Sequence, residues 1–276
     1  MKGKPMRTCK VLALAILSAA LGNAGCDSTK DDAKKPAPAA APAPATRSAV
    51  PVTPASRPTA AVAIPPRATQ PTVAAAANLI DLPVKLPLPN IKETPKALPP
   101  GLVIEKPVTG QRKVMKVPAG AVNLALNKPV TSSDPEPLIG TLDLITDGDK
   151  EVAEGNYVEL ARNPQWVQID LGAAHPLHAV ALWHDHGRPV VYHAVLVQVS
   201  DDKDFKTGVT TVYNNDRENL AGQGAGELPG YRETFEGKII DAGGVKGRYV
   251  RLYSAGNTND DVNRYMEVEV WGLPNR

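Results

Sequence analysis

The densest group of side chains able to do chemistry lies in one short stretch of the chain. Imidazole, guanidinium and carboxylate groups there can hydrogen-bond a hydroxyl-rich ligand, and two aromatic rings offer apolar faces. The residues of this ligand set are Trp183, His184, Asp185, His186, Arg188 and Tyr192. A second chemistry uses the same stretch, since His184 and His186, with Asp185 or His193, supply transition-metal ligands. The sequence leaves both open.

Two polar stretches, residues 214–219 and 257–261, are candidates for the rim of the same site. Their amides and carboxylates suit a hydroxyl-rich ligand. Asn, Asp and Gly are equally the ordinary residues of surface turns, so a purely structural role is the alternative for both stretches.

Short runs of β type flank these loops and must position them. Residues 166–171, 179–183, 194–199, 249–253 and 266–271 combine β-branched and aromatic residues, and turn residues separate the runs. Alternation lets a strand bury one face and expose the other, as two packed antiparallel sheets require. The pattern predicts an all-β sandwich.

The folded part is predicted to lie at the C-terminal end. All twelve aromatic residues (3 Trp, 7 Tyr and 2 Phe) occur from Tyr157 onward. Residues 118–276 are therefore expected to form one domain, and residues 26–117, rich in Pro and Ala, a disordered linker. An alternative has part of residues 78–117 packing on the domain as an edge strand, because Ile80, Leu82, Val84 and Leu86 alternate there.

The N-terminus is typical of a targeting segment. Basic residues up to Lys10 precede an apolar run, residues 11–21, and small residues lead to Cys26. Residues 1–25 resemble a bacterial lipoprotein signal peptide, which implies a lipid on the Cys26 thiol. We expect an exported protein of the cell membrane or outer membrane, on the periplasmic or surface side, with plain secretion as the alternative.

Charge separates the linker from the domain. Residues 26–120 hold 13 basic and 6 acidic side chains, whereas residues 121–276 hold 14 basic and 23 acidic ones. A domain with this acidic excess repels phosphates, so nucleic acid is not an expected partner. The membrane is expected as a partner only through the N-terminal lipid.

Six stretches occur in the order found in one known family. Residues 123–133, 145–149, 166–172, the strand that ends at residues 200–202, 247–252 and 267–272 together resemble the discoidin family, also called coagulation factor five/eight type C. That resemblance implies an eight-stranded, galactose-binding-like jelly roll. Family members mostly bind glycans, lipids or proteins through loops at one end, and in fucose-binding relatives the loop matching residues 183–192 contacts the sugar.

The resemblance also implies a structural calcium ion. Calcium takes hard oxygen ligands, and the turn Asp147-Gly148-Asp149 looks like the metal loop of the family. By position, Asp147 and Glu267 would supply side-chain oxygens, and Leu144, Asp149 and Met266 would supply carbonyl oxygens. The alternative is an ordinary Asp-Gly-Asp turn beside an ordinary strand residue.

Motifs for catalysis are missing from the sequence. The chain has no Gly-x-Ser-x-Gly, His-Glu-x-x-His or Gly-Lys-Ser/Thr motif, and its two cysteines, Cys9 and Cys26, precede the expected domain. We therefore expect a non-catalytic binding module. Its partner is predicted to be a polysaccharide, and an envelope protein is the alternative.

Overall fold

The computed structural model describes residues 78–107 and 113–275 of the chain. The expected signal peptide, Cys26 and the first part of the expected linker lie outside the described residues. Among the residues that are described, no helix has the length and apolar character needed to cross a membrane.

Strands dominate the described residues and are all short except two. The strands are β1 Leu79–Asp81, β2 Lys116–Pro118, β3 Val122–Asn123, β4 Val130–Ser132, β5 Val158–Leu160, β6 Gln165–Trp183, β7 Val191–Tyr192, β8 Val195–Ser200, β9 Thr210–Asn214, β10 Tyr231–Arg232, β11 Lys238–Ser254, β12 Asn263–Tyr265 and β13 Glu267–Gly272. One 3-10 turn of helix spans Leu142–Thr146. The predicted all-β class is confirmed. Two of the predicted runs, residues 166–171 and 179–183, belong to the single strand β6.

The main sheet has seven strands, in the order β3-β13-β6-β11-β8-β9, and β4 also pairs with β6. Every pairing in it is antiparallel. The long strands β6 and β11 pair from Lys238 opposite Leu182 to Ser254 opposite Gln165. Register shifts interrupt this ladder twice, between residues 241 and 249. Bulges of this kind bend a strand, so the two long strands turn together from one half of the sheet into the other.

The bend lets the two halves of the sheet face one another. The first half contains β4, β8, β9 and residues 165–171 of β6, and the second contains β3, β13 and residues 177–183 of β6. Inward side chains from both halves share one core, among them Val167, Ile169, Val250, Leu182 and Val268. The result is an antiparallel β-sandwich built mostly from one continuous sheet.

The second half of the sheet is buried on its outer face as well. Ala179, Ala181 and Trp183 point away from the main core, yet each is fully buried. A third layer covers them: Leu82 and Val117, from β1–β2 and its continuation, pack in the same cluster as Ala179. A strand that is covered on both faces has apolar residues at consecutive positions, which is the pattern of residues 179–183.

This third layer corrects the expected domain boundary at residue 118. Leu82, Val84, Met115 and Val117 pack on the sandwich, so the linker does not extend to residue 117. The alternative predicted an edge strand within residues 78–117. A strand, β1, does form there, but it pairs with β2 and not with the main sheet. Residues 84–107, called the strap below, continue from it. The strap is tied by hydrogen bonds from Lys92 N to Gly187 O (2.8 Å) and from Glu105 N to Gly230 O (2.8 Å).

Val117→Asp is expected to lower the free energy of unfolding by at least about 3 kcal/mol, because it places an unpaired carboxylate where no solvent reaches. The control Val114→Asp makes the same chemical change at a half-exposed position and is expected to cost less than about 0.5 kcal/mol. Denaturation with guanidinium measures both. Equal unfolding midpoints for the two variants would contradict the third layer.

Candidate functional site

Trp183 and Tyr192 stand at the two ends of the predicted ligand loop. Trp183 ends β6, Tyr192 ends β7, and both side chains are buried. The indole Nε1 of Trp183 donates to the carbonyl oxygen of Phe235 at 3.0 Å. Gly237, at φ +65°, lies against the Trp183 ring so closely that an added Cβ would meet its Cε2 at 2.5 Å. Both rings therefore belong to the packing of this end of the sandwich.

His184 is a core residue. Its ring stacks on that of Tyr192 with the centroids 3.7 Å apart. Its Nδ1 lies 3.2 Å from Oε2 of Glu233 and 3.3 Å from the hydroxyl oxygen of Tyr231. None of its surface is exposed, so a soluble ligand cannot reach it.

His186 and Asp185 hold the loop itself. Nε2 of His186 donates to the carbonyl oxygen of Lys150 at 2.8 Å, and Asp185 accepts from Gly187 N at 3.2 Å. The two histidines of the loop thus bind different partners. Among the described residues, no group of three or more His, Cys, Asp or Glu side chains is placed to hold a metal ion. The structure thus does not bring the residues of the transition-metal alternative together around one point in the described part of the chain.

Arg188 is the member of the predicted ligand set with a substantially exposed side chain, at 32%. Its guanidinium lies among three carboxylates: its Nε is 3.0 Å from Asp185 and 3.4 Å from Glu93, and its Nη1 is 4.0 Å from Asp260. Glu93 belongs to the strap, which also bonds to the neighbouring Gly187. The strap thus helps to close this loop and leaves the Arg188 donors directed at carboxylates of the protein.

Burial corrects the predicted ligand contacts. The loop is where the sequence placed it, but Trp183, His184, Asp185, His186 and Tyr192 are packed inside the protein. Polar residues in this loop signal hydrogen bonding, and the sequence does not tell whether the partner is a ligand or the protein. Here the described partners are backbone and side-chain groups of the same chain.

The predicted rim stretches have the structural role that was their alternative. The Asn215 amide accepts from Val195 N at 2.6 Å and donates to Tyr192 O at 3.1 Å. The Asp216 carboxylate accepts from Leu220 N and Ala221 N, which shapes the turn after β9. In the second stretch, Asn257 accepts from Asn259 N at 2.8 Å. These groups position the loops. Their neighbours Arg217, Glu218 and Asn219 are exposed.

A concave surface lies beside the buried loop, between the strap and the turn after β9. This loop-end cleft has a volume of about 410 Å³. Its lining combines apolar and polar groups: Pro99, Pro100, Gly101, Leu102, Val103, His193, Asp216, Arg217, Glu218, Leu220 and Gly230. The sequence does not predict that the strap forms a wall of a cleft, because its Pro-rich composition is typical of a linker. The alternation of Ile80, Leu82, Val84 and Leu86 was the one local signal of packing.

Two polar side chains of the cleft have no partner within the described ranges. His193 and Glu218 make no side-chain hydrogen bond or ion pair with another described residue. Arg217 donates from Nη1 to Glu227 O at 2.7 Å, which holds its guanidinium at the rim. The cleft therefore presents an imidazole, a carboxylate and a guanidinium next to proline and leucine side chains.

The predicted metal loop and Glu267 do meet in space. Gly148 has φ +88°, and its N–H donates to Oε2 of Glu267 at 3.0 Å. Asp147 Oδ1 accepts from Asp149 N at 2.8 Å within the same turn. Leu144 lies in the 3-10 turn that leads into the loop, and Met266 directly precedes β13. The loop and the last strand are adjacent, as the resemblance implies.

The second carboxylate oxygen of Glu267 lacks a partner. Its Oε1 is buried and accepts no hydrogen bond in the described part of the chain. Burial raises the pKa of Glu267 to about 9. Burial also raises the pKa of Asp147, and the nearby carboxylates Asp149 and Asp143 raise it further. Lys150 opposes the effect on Glu267, but its ammonium is bound to Glu269 at 2.6 Å. An added cation would stabilise the charged form of both acids.

Trp183→Ala is expected to lower the free energy of unfolding by about 3–5 kcal/mol, because it empties a large, fully buried site. Arg188→Ala, in the same loop, is expected to cost less than about 1 kcal/mol, since its ion pairs are partly exposed. Chemical denaturation of both variants measures the difference. A Trp183→Ala protein as stable as the wild type would contradict the buried loop.

No family model and no curated protein matches this chain. Several solved structures are similar. A chitosan-binding module of a chitosanase/glucanase from Paenibacillus sp. IK-5 is 24% identical, covering 55% of this chain and 99% of that module, with a TM-score of 0.40. A Streptococcus pneumoniae fucose-binding module is 20% identical, with coverages of 55% and 99% and a TM-score of 0.41. A Clostridium perfringens module in complex with GlcNAc-alpha-1,4-galactose is 18% identical, with coverages of 56% and 97% and a TM-score of 0.41.

Proposed function

We propose that this protein is a non-catalytic module that binds a polysaccharide in the loop-end cleft. The observation that carries the proposal is the cleft of about 410 Å³, whose lining combines the unpaired His193 and Glu218 with apolar strap residues. A sugar presents hydroxyls that both donate and accept, together with apolar C–H faces. A small number of placed polar groups on an apolar wall is the usual form of such a site.

Each part of the cleft has a role toward a sugar. The Glu218 carboxylate accepts from hydroxyls, the Arg217 guanidinium donates to them, and the His193 imidazole does either. Pro99 and Leu220 offer carbon surfaces to a sugar face. The predicted ligand set stays behind this surface and supports it, because Asn215 links the turn after β9 to the backbone at Tyr192.

The anchoring of the module is part of the proposal. Residues 1–25 direct export, Cys26 carries the lipid, and the Pro- and Ala-rich residues that follow hold the module away from the cell membrane or outer membrane. The discoidin type of the module is proposed on the six matching stretches of sequence. A lipid-anchored glycan binder attaches the cell surface to its surroundings or to its own polysaccharide.

A protein of the cell envelope is the second candidate partner, and exposed apolar residues favour it. Leu86, Leu88 and Ile91 of the strap are each at least half exposed. Three such residues within six positions of the chain form an apolar strip of the kind that contacts other proteins. The two candidates use different surfaces, so they can be separated by experiment.

Calcium is proposed as a structural ion beside the Asp147–Asp149 turn. Glu267 and Asp147 would hold it through their carboxylates, and Leu144, Asp149 and Met266 through their carbonyl oxygens. The support is the buried, unpartnered Oε1 of Glu267, a hard oxygen of the type that calcium takes. A bound calcium ion would supply charge compensation that fixes the turn to β13, with no part in contacting sugar.

Saturable binding to glycans on an array is expected for the full-length protein. The double variant His193→Ala, Glu218→Ala is expected to bind at least about ten-fold more weakly, because two hydrogen-bonding side chains of the cleft are lost. Lys246→Ala, an exposed lysine at the bend of β11, is the control and is expected to bind as the wild type does.

The outcomes separate the candidates. A folded wild-type protein that binds no glycan would refute the polysaccharide proposal and leave the envelope protein as partner. Equal glycan binding by the wild type and the double variant would place the site elsewhere on the module.

Calcium is expected to add about 2.7 kcal/mol to the free energy of unfolding of the wild type at a calcium concentration of 100 times Kd, and so to raise its unfolding temperature. Glu267→Gln is expected to abolish this shift, since an amide lacks the charge. Glu154→Gln, the same change at an exposed glutamate, is expected to keep it. Differential scanning calorimetry with calcium and with a chelator measures the shift. Identical curves for the wild type in both conditions would refute the calcium site.

A further inference from the structure

A second concave surface lies on the outer face of the first half of the sheet, away from the loop-end cleft. Val167, Ile169 and Val250 point into the core, so their neighbours along β6 and β11 point outward. These outward residues, with Thr131 of β4 and the loop after β8, enclose a cavity of about 600 Å³. We call it the sheet-face groove, and its lining includes Trp166, Gln168, Tyr249, Arg251, Lys203 and Lys206.

The centre of the groove is rigidly built. The guanidinium carbon of Arg251 lies 4.3 Å from the ring centroid of Trp166 and 4.1 Å from that of Phe205. Its nitrogens donate to Gln168 Oε1 at 2.8 and 2.6 Å and to Lys203 O at 3.2 Å. A cation between two aromatic rings, with its donors directed, is held in one position.

The loop that carries Lys203 is fixed as well. Phe205 has φ +55°, a left-handed conformation that is costly for an aromatic residue. The Asp202 carboxylate sustains it by accepting from the N–H groups of Asp204, Lys206 and Thr207 at 2.9–3.1 Å. Because of these bonds, Lys203 stands at a defined edge of the groove beside Arg251.

Two of the four cations at or beside the groove are paired with carboxylates, and two are not. Asp170 is neutralised by two hydrogen bonds from Arg248, at 2.7 and 2.8 Å, which also lower its pKa. Asp204 is paired with Lys206 at 3.2 Å. Among the described residues, no carboxylate lies within ion-pair distance of Arg251 or Lys203. Arg251 and Lys203 are thus two cations without an ion-pair partner next to an aromatic surface, although the loop also carries the carboxylates of Asp201 and Asp202.

We propose that the sheet-face groove is a second binding site, for a polysaccharide that carries carboxylate groups. Trp166 offers apolar surface to the sugar ring, and the exposed Thr131 lies where hydroxyls would pass, while the buried Gln168 and Tyr249 form the floor of the groove. Lys203 and Arg251 attract the uronate carboxylate. A neutral polymer would leave these two charges uncompensated, and a bare phosphate or sulfate ion would make no use of the aromatic surface. The proposal extends the carbohydrate function and does not depend on the loop-end cleft.

Titration calorimetry of the full-length protein with oligomers of mannuronate or galacturonate tests the site. We expect binding that weakens as salt concentration rises, since exposed charges are screened. Lys203→Glu is expected to weaken it at least ten-fold and is tolerated by the fold because Lys203 is exposed. Lys92→Glu, the same charge change on the strap, is the control and is expected to bind as the wild type does. Trp166→Leu is expected to weaken binding without changing its salt dependence.

Two results would overturn the site: no uronate binding by the folded wild type, or equal binding by the wild type and Lys203→Glu. Binding of sulfated oligosaccharides in place of uronates would overturn the carboxylate assignment. Each of the two proposed sites is tested by its own variant. His193→Ala, Glu218→Ala is expected to lose neutral glycans and keep uronates, whereas Lys203→Glu is expected to do the reverse.

Discussion

The pairing of β6 with β11 along nearly their whole lengths is the interaction on which the rest of this structure depends. The two strands bend together at their bulges, so one ladder supplies the centre of both halves of the sandwich. Trp183 and Ser254 lie at opposite ends of this ladder, and the bend brings both to neighbouring residues: Met266 N donates to Trp183 O at 2.9 Å, and the Tyr265 hydroxyl lies 2.8 Å from Ser254 Oγ. The outward residues of the ladder, Trp166 and Arg251, form the sheet-face groove for the same reason.

The continuation of this ladder into the second half creates an apolar outer face that must be covered. Ala179 and Trp271 meet that need by packing with Leu82 and Val117. Once this layer is in place, the strap that follows it crosses the loop at Gly187 and forms one wall of the loop-end cleft. Burial of one sheet face thus determines where a ligand can approach the other end of the domain.

Polar residues in this protein fall into two groups that composition alone does not separate. His184, Asn215 and Glu267 are buried and bond to groups of the protein, whereas His193, Glu218 and Lys203 keep their hydrogen-bonding groups available. The second group borders the two concave surfaces. Both proposed sites place unpaired polar groups beside apolar ones, and the sheet-face groove adds two cations, Lys203 and Arg251, that have no ion-pair partner among the described residues.

The sequence by itself determined the all-β class, the strand runs and the position of the loops, because alternation and turn residues are local properties of the chain. It also indicated the meeting of Asp147 and Glu267, through a resemblance in motif order. Only the tertiary structure decided which side chains of residues 183–192 reach solvent, since that depends on a strap some ninety residues away. The groove around Arg251 was likewise decided in three dimensions, because Trp166, Phe205 and Arg251 come from three separate segments. Burial is set by distant neighbours, and a linear pattern does not record them.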